Sequence, residues 1–424
     1  MIRLLQLFCL LFIAQWSFAQ NDSIPFFKGA LKANRDKAYL NIQNAIVKKL
    51  SLPLVDSTEQ DWIDAFYSME LIRYKDEWAV SKIRTAFDSI STRSIDFQVA
   101  LLEVCYANYP TQFIDQIYVL GNETMNAKVY AMVGEYMVQS GDIRMAGILL
   151  TSLKRIPLIE MSDSSKTSKA FLEATKCKVK DVTDKNFSKK VKEIFKKKYL
   201  LSNTIVYSIQ RKNRNYPGIV IVKDKTGSYV KDEKGNIFSV PQLARSITNM
   251  PGYINNGNTP QGIFRMDGFD VSRSGAIGPT TNIQLMMPLE TSVQHFLKDS
   301  SITDTTWTKT LYACLLPKAL KKYHSLYQTY MASACGRTEI IAHGTTVNPE
   351  YYKGTSYYPL TPTEGCLATK EIWSEVNGKR IESDQQKLVD AVKKAGGADG
   401  YYIVIEIDDQ QKAVTIGELL PLLK

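Results

Sequence analysis

Two short segments in the second half of the chain combine residue types that can carry out acyl transfer. In residues 340–345 (IIAHGT), an apolar run ends on His343 and Gly344. In residues 363–368 (TEGCLA), a turn carries Cys366. A thiolate is a strong nucleophile, and a histidine beside it can take the thiol proton and later protonate a leaving amine. The chain between the two segments is long enough to form a loop between adjacent strands.

The local sequence around Cys366 favours a reactive thiol. Residues 370–375 indicate a helix, so we expect Cys366 to lie at a helix N-terminus. The helix dipole and nearby backbone N–H groups would then stabilise the thiolate and lower the thiol pKa. The alternative, which stays open at this point, is a buried cysteine with a purely structural role.

The elements that must position these residues are mostly strands. Runs of β-branched residues bounded by turn residues begin after Leu201. The strand candidates are residues 204–207, 218–222, 262–266, 282–287, 338–343 and 401–407. A helical stretch, 307–331, interrupts them and contains Pro317, which should break or kink it. We expect this insertion to form a cap that narrows access to Cys366.

The first half of the chain has a different periodicity. From about residue 57 to 156, apolar residues recur at helical spacing, as in Trp62, Phe66 and Met69. We therefore predict the α+β class, with an all-α domain at 20–185 and a mainly β domain at 203–424. A lysine-rich helix at 186–202 is predicted to link them.

The N-terminus and the composition place the protein outside the cytoplasm. Arg3, an apolar run at 4–14 and the small residues of Ser17-Phe18-Ala19 predict a signal peptide at 1–19. We expect a periplasmic or secreted protein of the cell envelope, without an integral membrane segment after cleavage. The formal net charge is +10, but no nucleic-acid motif accompanies it.

The cysteines and histidines restrict the chemistry further. Five cysteines remain after Cys9 leaves with the signal peptide, and an odd number in an oxidising compartment leaves at least one free thiol. Two interpretations stay open for Cys314 and Cys335, namely a disulfide or burial in the core. The three histidines have no metal-ligand spacing, so we expect neither a metal nor an organic cofactor.

These motifs have a familiar order. A strand ending in HGT, then a loop and a [Ser/Thr]-x-Gly-Cys turn, resembles the signature of the YkuD-type L,D-transpeptidases. Residues 258–264 (NTPQGIF) resemble the TPxGxF strand entry of that family. The resemblance covers about residues 203–408 and implies an L,D-transpeptidase-like catalytic domain. The helical half lies outside it.

The resemblance also implies a mechanism on peptidoglycan stem peptides. Cys366 would attack the carbonyl of an L-centred residue and expel a D-amino acid, while His343 moves the proton. The carbonyl of Gly344 would orient the imidazole, and the N–H groups of Gly365 and Cys366 would form an oxyanion hole. An amine would resolve the thioester in a transpeptidase. Water would do so in an L,D-carboxypeptidase or a hydrolase that releases wall attachments.

Two residues depart from the family pattern. Many members carry histidine where Glu364 stands and arginine or asparagine where Ala368 stands, so this chain is closer to a divergent branch with GCxA turns. Thr363, Glu364 and Thr345 are the predicted substrate-binding residues. Glu364 could receive the ammonium of a diamino-acid donor, oppose the thiolate, or be neutralised by Arg337. The departures also leave open a non-catalytic wall-binding protein with a decayed domain.

Overall fold

The protein is described here from a computed structural model, over residues 24–141, 155–162, 165–178 and 190–423. The predicted signal peptide at 1–19 lies outside these residues, as does the side chain of Cys177. Within them, a helical N-terminal region precedes a strand-rich barrel. The α+β class is therefore confirmed.

The helical region contains a series of helices that pack around one apolar core. Trp62, Phe66 and Met69 are buried in it, as their spacing predicts. Gly141 ends one helix with φ at 75°, the left-handed conformation that glycine adopts most readily. The helices are α1 (Lys32–Leu50), α2 (Glu59–Leu71), α3 (Glu77–Asp88), α4 (Ile95–Asn108), α5 (Ile114–Glu123), α6 (Ala127–Ser140), α7 (Arg155–Ser162) and α8 (Lys166–Lys178).

The second half forms a closed eight-stranded barrel in the order β1-β10-β4-β5-β6-β7-β3-β2. Neighbouring strands run antiparallel, except for the parallel pairs β1–β10 and β6–β7. A separate hairpin joins β8 and β9. The strands are β1 (Thr204–Arg211), β2 (Gly218–Lys223), β3 (Val240–Leu243), β4 (Gly262–Asp270), β5 (Asn282–Met286), β6 (Ile341–His343), β7 (Leu367–Thr369), β8 (Glu371–Trp373), β9 (Arg380–Ser383) and β10 (Gly400–Asp408).

Each of the six strand candidates from the sequence contains an observed strand, although the candidate 338–343 is a strand only at Ile341–His343. The alternation along the strands separates two cores. In β1, Val206 points to the inner core, whereas Ile205 and Tyr207 belong to an outer core. The inner core also includes apolar residues of the helix Asp384–Lys394. Both faces of β1 are thus buried, and this burial includes its polar residues Thr204, Ser208, Gln210 and Arg211.

The inserted stretch at 307–331 is not the cap that we expected. Only Lys309–Ala313 and the turns from residue 324 onward are helical. Tyr312, Leu316 and Leu320 pack in the outer core against β1, β2, β4 and β10. In the order of the barrel, β1 and β10 lie opposite β6 and β7, which carry the candidate site. The insertion as far as Leu326 therefore covers the opposite wall, because its apolar side chains bury the outer face of those strands. Met331, at its end, packs in the core of the helical region.

The predicted linker at 186–202 is also part of the barrel's packing where it is described. Its helix extends only over Lys192–Phe195. Val191, Ile194 and Phe195 pack in the outer core with Ile205 and Tyr207, and Tyr207 donates a hydrogen bond to the Ile194 carbonyl at 2.6 Å. The apolar face of this segment is therefore a contact surface, while Lys192, Lys196, Lys197 and Lys198 are exposed.

The two halves of the chain share a core. Met250, Tyr253 and Ile254, from the connection between β3 and β4, are buried among the side chains of the helical region. At the other end, Phe26 pairs with Lys379 beside the β8–β9 hairpin. The boundary predicted near residue 185 stays a prediction, because the segments around it lie outside the described residues.

This shared core predicts that the two halves unfold together. Ile254 is fully buried, so Ile254→Ala should lower the free energy of unfolding by about 2–5 kcal/mol. Hydrogen exchange measured in denaturant should show the same loss of unfolding free energy in peptides from α4 and in peptides from β1. Ile381→Ala is the control, since Ile381 is 68% exposed and should cost under about 0.5 kcal/mol. A loss confined to one half would contradict a shared core.

Candidate active site

Cys366 lies immediately before a strand. Residues 367–369 form β7 and residues 371–373 form β8, so the helix predicted at 370–375 is wrong. Ala368 and Thr369 are fully buried in pairing with β3, and this tertiary pairing overrides the local helical preference. The expected contribution of a helix dipole to the thiolate is therefore absent.

The register of β6 and β7 determines how Cys366 and His343 face each other. Ala342 is opposite Leu367 and His343 is opposite Ala368 in this parallel pair. Ala342 and Leu367 point into the inner core. Because side chains alternate along a strand, His343 and Cys366 project to the opposite, outer side. The two candidate residues therefore lie on one face of two adjacent strands, two positions apart.

His343 is held as a neutral base. Its Nδ1 contacts the carbonyl oxygen of Gly344, which can only accept a hydrogen bond. Nδ1 therefore carries the proton and Nε2 is the basic atom. Burial lowers the pKa of His343 to about 4, although the bond to Gly344 acts in the other direction. The contact from Gly344 that the resemblance implies is thus present.

The sulfur of Cys366 is held by the backbone of the neighbouring segment. The N–H of Ile341 lies 3.5 Å from Sγ, and Sγ lies 3.7 Å from the carbonyl oxygen of Glu339. Burial raises the pKa of Cys366 to about 11, against the opposing effects of the Ile341 N–H and Arg337. The predicted lowering of this pKa is therefore wrong for the resting protein, because desolvation outweighs the favourable contacts.

Thr363 stabilises the turn that delivers the cysteine. Its hydroxyl accepts from Gly365 N at 3.1 Å and donates to the Cys366 carbonyl at 2.8 Å. The Gly365 N–H is thus already bonded, and the oxyanion hole predicted to include it needs correction. Thr363 itself is half-buried, and its contact with substrate stays a prediction.

The hydroxyl of Thr345 is also bonded within the protein. It donates to the Ala276 carbonyl at 3.3 Å and accepts from Thr361 Oγ1 at 3.0 Å and from Val347 N at 3.1 Å. Thr345 is 5% exposed. These contacts give Thr345 a structural role, in which it fixes the loop after β6.

Glu364 is the most solvent-accessible residue of the turn, yet protein atoms surround much of its carboxyl group. Its side chain reaches solvent, while partial burial raises the pKa of its carboxyl group. It makes no ion pair with Arg337, so the neutralised role is wrong. Glu70 and Glu103, from α2 and α4, lie nearby. Burial raises their pKa values, and repulsion from Glu364 adds to the effect.

Two further buried residues lie beside the site. Glu371 was not assigned to it from the sequence, and Arg337 was considered only as a partner of Glu364. Arg337 lies against the turn, where any side chain at Gly365 would overlap its Nη2. The carboxyl of Glu371 lies against Gly344 in the same way, and Ser383 donates to its Oε1. Two glycines beside the expected catalytic residues were the available signal, because glycine often marks a close approach by another group.

Cys314 and Cys335 do not pair with each other. Both are free thiols, the former exposed and the latter buried. The predicted burial is therefore confirmed for Cys335 and wrong for Cys314, and the alternative disulfide is wrong. Over the described ranges, no cluster of His, Cys, Asp and Glu side chains could hold a metal ion. No helix in the same ranges is long and apolar enough to cross a membrane.

Comparison with known proteins adds no relative: no family model, no curated protein and no solved structure matches the chain.

The raised pKa of Cys366 predicts its reactivity toward iodoacetamide. At pH 7 the exposed Cys314 should be labelled first, because Cys366 is almost entirely a thiol. Labelling of Cys366 should then accelerate about tenfold per pH unit until the pH approaches 11. Peptide mass spectrometry after short pulses measures both sites in one sample. A plateau for Cys366 below pH 8 would contradict the burial argument.

The lowered pKa of His343 predicts a loss of stability in acid. The unfolded chain protonates this histidine near pH 6.5, whereas the folded protein does so only near 4. The unfolded state therefore binds more protons between these values, and stability falls as the pH decreases. Between pH 7.5 and 5, wild type should lose about 2 kcal/mol more than His343→Asn in urea unfolding. Equal losses would show that the imidazole is not desolvated.

Proposed function

We propose that the protein is a cysteine-dependent acyltransferase of the L,D-transpeptidase type that acts on peptidoglycan stem peptides. One observation carries the proposal: Cys366 and His343 lie on the same face of the parallel pair β6–β7, with Nε2 of His343 as the basic atom. The wall substrate comes from the motif resemblance, and so does the finer assignment of the barrel to the L,D-transpeptidase fold.

The first half of the reaction uses a neutral resting pair. As Sγ attacks the substrate carbonyl, its proton passes to Nε2 of His343, and the S–C bond forms. The C–N bond then breaks, and the imidazolium gives the proton to the leaving amine, which departs as a D-amino acid. A neutral imidazole is competent for this from pH 5 upward, because burial keeps its pKa near 4. No ion pair needs to exist before substrate binds.

The second half regenerates the thiol. An amine or a water molecule attacks the thioester carbonyl, His343 takes the proton of the nucleophile, and the thiol leaves with it. Glu364 is the substrate-facing residue in this proposal, because it is the exposed polar side chain of the turn. It would receive an ammonium group of a diamino-acid residue. We place this activity in the periplasm or outside the cell, consistent with the predicted signal peptide.

The test is mass spectrometry of stem-peptide products after incubation with the purified mature protein. Loss of the terminal D-residue alone would indicate hydrolysis, and its replacement by an added amine would indicate acyl transfer. His343→Ala should lower kcat/KM by about 10²–10⁴-fold, and Cys366→Ala should abolish thioester formation.

The matched control is His295→Ala. His295 is a partly exposed histidine that contacts Asp267 at 3.0 Å on another part of the barrel, and its loss should leave turnover unchanged. Binding of wall peptides without any change in their mass would favour the alternative, a wall-binding protein with a decayed site.

A further inference from the structure

Arg337 is an unusual cation because of what surrounds it. It is 3% exposed, and its guanidinium donates to backbone carbonyls of one loop, those of Gly252, Ile254, Gly257 and Asn258. It forms no ion pair with a carboxylate among the described residues. Carbonyl oxygens satisfy its N–H groups without neutralising its charge. A full positive charge is therefore buried, which is costly unless an anion forms beside it.

The position of Arg337 beside the Cys366 turn indicates where such an anion would form. Nη2 of Arg337 lies against the Cα of Gly365, the residue before Cys366. On the other side of the turn, Thr259 donates to the Gly365 carbonyl at 2.9 Å. The φ of Gly365 is 115°, a conformation open to glycine. The backbone of the turn at Gly365 therefore packs directly against the Arg337 guanidinium.

The charged groups around the Cys366 sulfur explain why the position of Arg337 matters. Two carboxylates, Glu364 and Glu339, disfavour an anionic sulfur, as burial does. Two groups favour it, the N–H of Ile341 and the guanidinium of Arg337. Glu290 is a carboxylate whose charge acts on Arg337. Its oxygens accept hydrogen bonds from the backbone N–H groups of Met287 and Glu339. Arg337 is therefore the one cation among the described residues that offsets the carboxylates around Cys366.

We propose that Arg337 is the positioning residue of this site: it holds the Gly365 turn from below, and its buried charge stabilises the sulfur anion during attack. It acts through Cys366 and its turn and does not itself touch the substrate. The role in turnover rests on the proposed function, whereas the effect on the thiol does not, because it can be measured without any substrate.

The experiment measures the pH dependence of Cys366 alkylation in the full chain, with iodoacetamide as a neutral probe. Arg337→Met should move the titration upward by about one pH unit or more, so that labelling at pH 8 falls about tenfold or more. Arg337→Lys keeps the charge and should shift the titration by less than half as much. With active protein, Arg337→Met should lower kcat more than it raises KM.

Arg211→Met is the matched control. Arg211 is equally buried, but it pairs with Asp408 and Glu418 and does not contribute to the pKa of Cys366, so its loss can cost stability without changing the titration of Cys366. Circular dichroism verifies that each variant is folded. An unchanged titration in folded Arg337→Met overturns the proposal. Equal shifts in the Met and Lys variants also overturn it, because the charge would then have no role.

If Arg337→Met does not fold, Gly365→Ala decides the question together with Arg337→Lys. A methyl group at residue 365 would overlap Nη2 and displace the guanidinium without removing it. The titration of Cys366 should then shift upward, as in the Met variant. A folded Gly365→Ala protein with the wild-type titration shows that the guanidinium does not act on the sulfur. If the alkylation results agree with the proposal but no wall peptide reacts, the effect of Arg337 on the Cys366 thiol stands and the proposed substrate is wrong.

Discussion

The parallel pairing of β6 with β7 is the constraint on which the candidate site depends. Parallel neighbours cannot be joined by a tight turn, so the chain must cross over between them. The tyrosine-rich segment at 346–362 makes this crossover, and it is itself anchored, since Tyr352 and Tyr357 pack on Leu243 of β3. A slip of one residue in the register would turn either His343 or Cys366 into the inner core. The apolar pair Ala342 and Leu367 prevents that slip, because both are buried there.

Desolvation then sets the chemistry that this geometry can perform. Burial acts on a base and on an acid in opposite directions, lowering the pKa of His343 and raising that of Cys366. Both effects favour the neutral forms, so the resting protein holds a thiol beside an imidazole. In the proposed reaction, charge separation is deferred to the moment of attack, when the sulfur is already forming a bond. A buried cation is most useful at that moment, and Arg337 supplies one without quenching it in a permanent ion pair.

The sequence predicted the longer strands for a physical reason. β10 is buried on both faces from Gly400 to Ile405, so its apolar run is easily recognised. The assignment of Cys366 and His343 as the reactive pair stays a prediction. The short strands are different. Residues 371–373 fall in the segment that was predicted to be a helix, and their pairing with β9 makes them a strand. Residues 367–369 form a strand through their partners in β3 and β6. The sequence could not reveal those partners, and the predicted reactivity of Cys366 depended on the missing helix.

Long-range contacts likewise determine which residues can face a substrate. Ala368 lies between Leu243 of β3 and His343 of β6 and is fully buried. A long polar side chain at this position would have to enter a closed part of the barrel wall, so alanine is what the packing admits. The polar contacts that an arginine or asparagine could make at this position are unavailable to a residue of this size. Glu364, two positions before Cys366, is exposed in the same turn and next to the helical region that supplies Glu70 and Glu103. In the proposed function, polar recognition therefore falls to the turn before the cysteine and not to the strand after it. There the helical half of the protein forms the opposite side of the site.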